Sequence, residues 1–360
     1  MKKLCIPLVA IAVCGSASSQ SSVTVFGGVD VGYQRVDADG TGVVNRLING
    51  GSLTSRLGFR GVEDLGGGWS TGFWLEAGLN GDTGAGSVTN INNQIGGNSG
   101  GGAITFNRRS TLSLMGPYGE LRLGRDAVPV FWNQTIFDPF RTQGSGASIN
   151  LTAGAGLGTT AGLTTVAAGR VSNSIGYLTP KNWGGFYGQI LAAVGENAGT
   201  PAATRSDGGY LGSRLGYTAG PLDVAIATGN AIYAAGDVKT YNLGASYDFK
   251  VAKLMVQVGG DEREGPVYSK AKYWLLGTTV PAGQGYFRAS YGRSNVVNSA
   301  NDGSLAAFGY VYPLSKRTQI YSAIARMDNK GTGTLFTQGV PITRPGGSST
   351  AFDVGIRHDF

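Results

Sequence analysis

The sequence predicts an all-β protein, a 16-stranded antiparallel transmembrane β-barrel with an inward-folded third external loop, and three observations carry that expectation. Gly supplies 62 of 360 residues, and charged residues make up only 14% of the chain, against roughly 25% in ordinary soluble proteins. Stretches of about ten residues alternate apolar and polar side chains with a period of two, the signature of a strand with one face in an apolar medium and one in water. Short connections between these stretches alternate with long ones, as they do in a barrel with tight turns at one rim and loops at the other.

The first segment, MKKLCIPLVAIAVCGSASSQ, has Lys2 and Lys3 ahead of an apolar run from Leu4 to Val13, then Ala17 and Ser19 at signal-peptidase spacing. It reads as an export signal over residues 1–20, with Val13 before Cys14 a poor fit to a lipoprotein signal. Both cysteines, Cys5 and Cys14, lie in it, so the expected mature chain, 21–360, has no disulfide or thiolate metal site. Removing two lysines leaves 27 bases against 22 acids, a net charge of +5. No later run of eighteen apolar residues provides a helical span.

Alternation begins with Val23, Val25, Val29, Val31 and Tyr33 opposed to Thr24, Asp30 and Gln34. It continues with Leu53, Leu57 and Phe59 against Thr54, Arg56 and Arg60, and is longest in WSTGFWLEAGLN from Trp69, where Ser70, Gly72, Trp74 and Glu76 share the polar phase. A fourth segment sets Phe106, Leu112 and Leu114 against Asn107, Arg109 and Thr111. Further segments near 120–125, 170–179, 185–195, 208–218, 222–232, 239–249, 253–263, 269–279, 285–293, 303–312, 318–328 and 350–360 complete the set of sixteen. Tight turns are expected at 64–68, 116–119, 179–184 and 313–317, and long loops at 80–103 and 126–169. Trp69, Tyr187, Tyr241, Tyr247, Tyr286, Tyr291, Tyr312 and Tyr321, near strand ends, are candidates for interfacial aromatic girdles.

Sixteen strands enclose an aqueous channel, so any constriction must come from a loop. The segment 127–169 is the longest connection, and its VPVFWNQTIFDPF stretch has the rings to pack against an inner wall. By phase, Arg56, Arg60, Arg109, Arg122, Arg170, Arg214, Lys270, Lys272 and Arg288 point inward, and Arg108 outward. Inward acids are Asp30, Glu76, Glu120 and Asp353, while the loop adds one acid, Asp138, and one base, Arg141. A constriction between that loop and a basic wall focuses a positive potential and favours anions.

SSVTVFGGVDVGY, TSRLGFRGVEDLGGG, RRSTLSLMGPYGELRLGR, RVSNSIGYLTP, GYVYPLSKRTQIYSAIA and the terminal DVGIRHDF occur in that order over nearly the whole expected mature chain. Together they resemble the trimeric general porins of Gram-negative outer membranes, specifically the β-proteobacterial, anion-selective group. The resemblance implies a homotrimer in the outer membrane, passive diffusion of small hydrophilic solutes, and contact with outer-membrane lipids and lipopolysaccharide. It also implies an arginine cluster at the constriction, carried by Arg56 in TSRLGF, Arg109 in NRRST and Arg170 in RVSNS; Arg60 and Arg122 rest mainly on phase. An acidic PEFG-like motif is absent from the third loop, where FDPFR with Asp138 stands instead. The loop from Gly81 to Gly102 corresponds to one that latches onto a neighbouring subunit, and Phe360 to the terminal aromatic read by the barrel assembly machinery.

Catalysis is not expected. GNSGG around Ser99 lies in a Gly/Asn loop, not a strand-to-helix elbow, and the single histidine is His358 in the last strand. GAGLG at 154–158 lacks the context of a dinucleotide loop. No cofactor, metal or nucleic acid is expected, and small anionic solutes are the expected cargo. A channel specific for one anion, such as phosphate or an organic acid, and a closed adhesin or structural barrel are the competing readings.

Overall fold

Backbone groups in a bilayer must be satisfied within the protein, and this chain satisfies them by closing its long strands into one hydrogen-bonded ring. The computed structural model describes residues 22–94, 97–152, 169–199, 204–265 and 268–360. The expected export signal, residues 153–168 of the long loop and its GAGLG stretch lie outside the described residues. The strands are β1 (Ser22–Ala38), β2 (Gly42–Asn49), β3 (Arg56–Gly66), β4 (Trp69–Gly78), the two-residue β5 (Thr89–Asn90) and β6 (Asn98–Ser99), β7 (Arg109–Gly116), β8 (Gly119–Ala127), β9 (Arg170–Leu178) and β10 (Phe186–Ala193). They continue with β11 (Gly209–Ala219), β12 (Leu222–Ile232), β13 (Val238–Asp248), β14 (Lys253–Arg263), β15 (Ser269–Ala282), β16 (Gly285–Val296), β17 (Asp302–Pro313), β18 (Thr318–Asn329) and β19 (Ser348–Asp359). Between β8 and β9 lie two helices, α1 (Pro129–Ile136) and α2 (Ile149–Thr152).

All strands except the β5–β6 hairpin form one antiparallel sheet, closed where β1 pairs with β19 from Gly28↔Asp359 to Ala38↔Ser349. On its other edge β1 pairs with β2 at residues 31–38 and with β3 at 22–28. Strands β2 and β3 are therefore two pieces of one stave, and the closed barrel has sixteen. Alternation alone starts that stave at Leu53 and predicts no strand at 42–49. The excursion between the pieces is fastened by Asp30, which accepts hydrogen bonds from Ser52 N at 2.8 Å and Leu53 N at 2.6 Å, and from Tyr321 Oη at 2.6 Å.

Exposure follows the pleat. Along β19, Phe352, Val354 and Ile356 are exposed while Asp353 is wholly buried on the other face. The core lies inside the barrel. Phe140 and Leu151 of the long loop pack with Leu275, Leu305, Ala323, Ala325 and Met327 on the inner face of β15, β17 and β18. Val128 and Phe131 pack with Val171, Leu191, Tyr210 and Val238, and Val340 and Ile342 of the last loop fill the space beside Val36 and Ala351.

This inner core reverses several parity assignments. On β15, Ala271, Tyr273 and Leu275 are buried inward beneath the loop, so Lys270 and Lys272 share the outward phase with the exposed Trp274 and Leu276. Tyr187 and Tyr321 also point inward, against Gly216 and Asp30 respectively, whereas Trp69, Tyr241, Tyr247, Tyr286 and Tyr291 are exposed as girdle residues should be. The 81–102 loop engages its own chain: Asn93 Nδ2 donates to Ser172 O and Gly208 O, and Gln94 Nε2 donates to Gly195 O.

Candidate pore constriction

The long loop traverses the inner wall in four docking steps. Helix α1 starts on Pro129, whose fixed φ and missing N–H suit a first helical position. Its backbone is held by wall amides: Asn242 Nδ2 donates to Val130 O at 3.0 Å, and Gln257 Nε2 to Gln134 O at 2.8 Å. Asn133 Nδ2 donates to Ala225 O at 2.9 Å and its Oδ1 accepts from Arg214 Nε. After the helix, Phe137 sits on Gly244 of β13 and Pro139 on Gly277 of β15, each where a wall Cβ would collide with the ring. Phe140 lies under the Arg288 guanidinium, 4.3 Å from its ring centre. Finally Ser145 accepts from Gln34 Nε2 and donates to Asp353 from both N and Oγ.

Asp138, expected at the constriction, is instead the internal tie of this loop. It is 1% exposed and accepts from the backbone N–H groups of Phe140, Thr142 and Ser148. Burial pushes its carboxyl above the usual carboxylate range, and the N–H donors hold it back. The other charge of the loop, Arg141, is exposed.

The described part of the loop packs along β10–β19 and β1 and touches β9 at Val171 and Arg170, which leaves β3, β4, β7 and β8 as the wall it does not cover. Every arginine expected at the constriction is found on that wall or, for Arg170, beside it on β9. Glu76 of β4 accepts from Arg56 Nη1 at 3.3 Å, Arg108 Nε at 2.6 Å and Trp74 Nε1 at 3.0 Å. The Trp74 ring lies between two guanidiniums, Arg60 at 5.2 Å and Arg109 at 4.7 Å, close enough for cation–π attraction. Arg109 also donates to Thr111 Oγ1 at 2.9 Å and lies 3.8 Å from Glu120. Arg122 is held by Glu120 at 2.8 Å and Asp126 at 2.5 Å. Arg170 stacks over Phe131 of α1 at 5.3 Å and donates to Arg108 O at 2.9 Å.

Arg108 is expected outward from its phase and is not. Regular pairing begins at Arg109, so alternation cannot be extrapolated one residue upstream, and Arg108 N also donates to Glu76 O. Six arginines, Arg56, Arg60, Arg108, Arg109, Arg122 and Arg170, thus stand with three carboxylates, Glu76, Glu120 and Asp126, and a seventh on the same strands, Arg125 of β8, donates to Asn107 O, Asn90 O and Ser172 Oγ. Sequence reasoning misses the organising role of Trp74, although a bulky ring among Ser70, Gly72 and Glu76 on the polar phase is the signal.

A family model for Gram-negative porins matches residues 8–332. Outer membrane porin protein 32 of Delftia acidovorans is 37% identical over 375 residues, covering 100% of both chains. An outer membrane porin protein of Bordetella pertussis is 29% identical over 96% of each. Among solved structures, an anion-selective porin from Comamonas acidovorans superposes with a TM-score of 0.80 at 35% identity, over 95% of this chain and 100% of that one. Outer-membrane expressed OmpT of Vibrio cholerae, at 13% identity, 94% and 98% coverage and a TM-score of 0.65, shares the fold. With a closed sixteen-stave barrel, an apolar outer face and a polar inner wall, this chain belongs to the Gram-negative porin family and is a β-barrel channel of the outer membrane through which solutes diffuse.

Proposed function

We propose that this porin is an anion-preferring diffusion channel, narrowed by its 127–169 loop against the wall that carries Arg56, Arg60, Arg109, Arg122 and Arg170. One observation carries the reading: the arginine wall faces a loop whose only acid, Asp138, is buried away from the lumen. Among the acids on the far staves, Asp30 and Asp353 are likewise wholly buried and engaged in hydrogen bonds, Asp223 accepts from Tyr187 Oη, and Asp359 is paired with Arg357. An excess of positive charge between low-dielectric walls concentrates anions and depletes cations. The channel is expected to work as a homotrimer, without cofactor and without catalysis, on small anionic solutes. The similarity to the anion-selective porin from Comamonas acidovorans supports this reading.

The test is the zero-current potential of the purified protein in a planar bilayer across a KCl gradient. An anion-signed potential is expected, and a cation-signed one refutes the proposal. Replacing Arg56, Arg109 and Arg170 together by Gln should lower the chloride-to-potassium permeability ratio roughly fivefold, the effect of losing ~1 kcal/mol of focused potential. An unchanged ratio would place selectivity elsewhere.

A further inference from the structure

Beyond the arginine wall, toward the rim of short turns, the lumen holds a cavity of about 660 Å³, a volume typical of small-molecule sites, ~300–1,000 Å³. Four bases reach it, Arg109, Arg122, Arg214 and Lys181, against one acid, Glu120. Arg122 is committed to Glu120 and Asp126. Arg214 has no direct ion pair among the described residues: Nε donates to Asn133 and Nη2 to Tyr187 Oη at 3.1 Å, whose hydroxyl in turn donates to Asp223 of β12, so the nearest carboxylate lies one hydroxyl away and Nη1 is left without a partner. Lys181 is exposed at the β9–β10 turn, and the lysine ion pairs among the described residues belong to Lys239 and Lys270. The cavity therefore offers an anion the ammonium of Lys181 and the one open nitrogen of Arg214.

Much of the remaining lining is apolar. Trp132 projects from α1 and is 38% exposed, unlike Phe137 and Phe140 of the same loop, which are wholly buried against the wall. Leu178, Pro180, Pro117 and Met115 extend that apolar surface. Chloride or phosphate would use the cations and leave the ring of Trp132 wet. A ligand that uses both halves has one carboxylate and a flat apolar body.

Resting on the porin reading, we infer that this cavity is a binding subsite for aromatic monocarboxylates, with the carboxylate on Arg214 and Lys181 and the ring against Trp132 and Leu178. Solutes of this class dwell there during passage and obstruct the ion current. The guanidinium of Arg214 is pre-oriented, because it stacks on Tyr187 at 4.6 Å and is anchored by Asn133, so binding orders little that is not already ordered.

The experiment uses single channels in a KCl-filled bilayer, with benzoate or acetate added on the short-turn side. Benzoate should reduce the current saturably, and acetate should need at least several-fold higher concentrations. Trp132→Ala should raise the half-blocking benzoate concentration roughly fivefold, Trp132→Phe should restore most of the block, and Arg214→Gln should weaken benzoate and acetate alike. Heat-modifiable migration on gels confirms that each variant is folded. Channels that conduct KCl but are blocked equally by benzoate and acetate, or whose benzoate block is unaffected in folded Trp132→Ala, overturn the subsite alone. Absence of stepwise KCl conductance would overturn the porin reading beneath it.

Discussion

Glu76 sets how much of the wall's charge the lumen feels. It is buried, takes hydrogen bonds from Arg56, Arg108 and Trp74, and so both neutralises the arginines and fixes the indole against which Arg60 and Arg109 stack. Glu76→Gln retains the shape and one acceptor but removes the charge, raising the excess of bases by one. The chloride-to-potassium permeability ratio should therefore rise, opposite in direction to the arginine replacements, and a fall in zero-current measurements would refute the charge argument. Folding stability should drop by ~1–3 kcal/mol, because Arg108 loses a charge-assisted partner while still buried. Asp138 gives a second test through its sign. Since burial raises its carboxyl above the usual range, the folded chain binds that proton more readily than the unfolded chain. Its contribution to stability accordingly grows as pH falls through the raised native value toward the unfolded one, and is lost as pH rises. Acidification from neutral pH should thus leave the loop docked, with conductance steps of unchanged size; larger steps at low pH would contradict this.

At the scale of elements, the loop is seated by absences on the wall as much as by contacts. A Cβ at Gly244 would lie 2.0 Å from the Phe137 ring, and one at Gly277 2.4 Å from Pro139, so these two glycines are pits into which loop rings fit. Gly244→Ala should cost ~1–3 kcal/mol of docking through overpacking, seen as noisier conductance and faster proteolysis within the loop. Adding Phe137→Ala should recover part of that loss, whereas strictly additive effects would show that the pair does not couple. The same packing explains which parts of the fold are legible in the sequence. Alternation locates the staves wherever lipid meets one face and water the other, as in β4, β12 and β19. It misassigns Lys270, Lys272 and Tyr321 where the loop or an inward hydrogen-bond network covers the inner face, since both phases are then buried or apolar. It also fails at strand ends: Arg108 precedes the first paired residue of β7, and β2 is lost because Gly42–Asn49 is cut from β3 by an excursion held by residues distant in sequence, Asp30, Gln143 and Gln319. The arginine wall is legible because consecutive staves place like residues on one face. The buried role of Asp138 is not, because it depends on backbone donors of its own loop.

For the whole molecule, closure is the event that creates the lumen, its charge and its apolar exterior at once. The closing seam joins the first and last staves over eleven residue pairs, and beyond them Gly27 and Phe360 exchange two backbone hydrogen bonds of 3.1 Å. The Phe360 side chain remains 46% exposed on the outward phase and covers Gly27, whose hypothetical Cβ would stand 2.6 Å from the ring and 2.4 Å from Arg56 O on the adjacent stave. The ring thus shields the backbone of a glycine that cannot shield itself, at the level where the outer face meets the short-turn interface. We propose that Phe360 acts in assembly through this contact as well as through recognition by the assembly machinery, and the two roles can be separated. Gly27→Val leaves the terminal aromatic intact but drives its Cβ into the Arg56 carbonyl, so it should impair closure both in cells and in detergent refolding of the purified chain. Deleting Phe360 should reduce folded protein in the outer membrane strongly, yet slow refolding in detergent less, since two terminal hydrogen bonds and one ring contact are lost from a seam of eleven further pairs and no clash is introduced. Heat-modifiable migration on gels measures both. Undiminished folded protein after the deletion would remove Phe360 from assembly, and normal refolding of Gly27→Val would show that the seam tolerates a side chain where the geometry leaves no room for one.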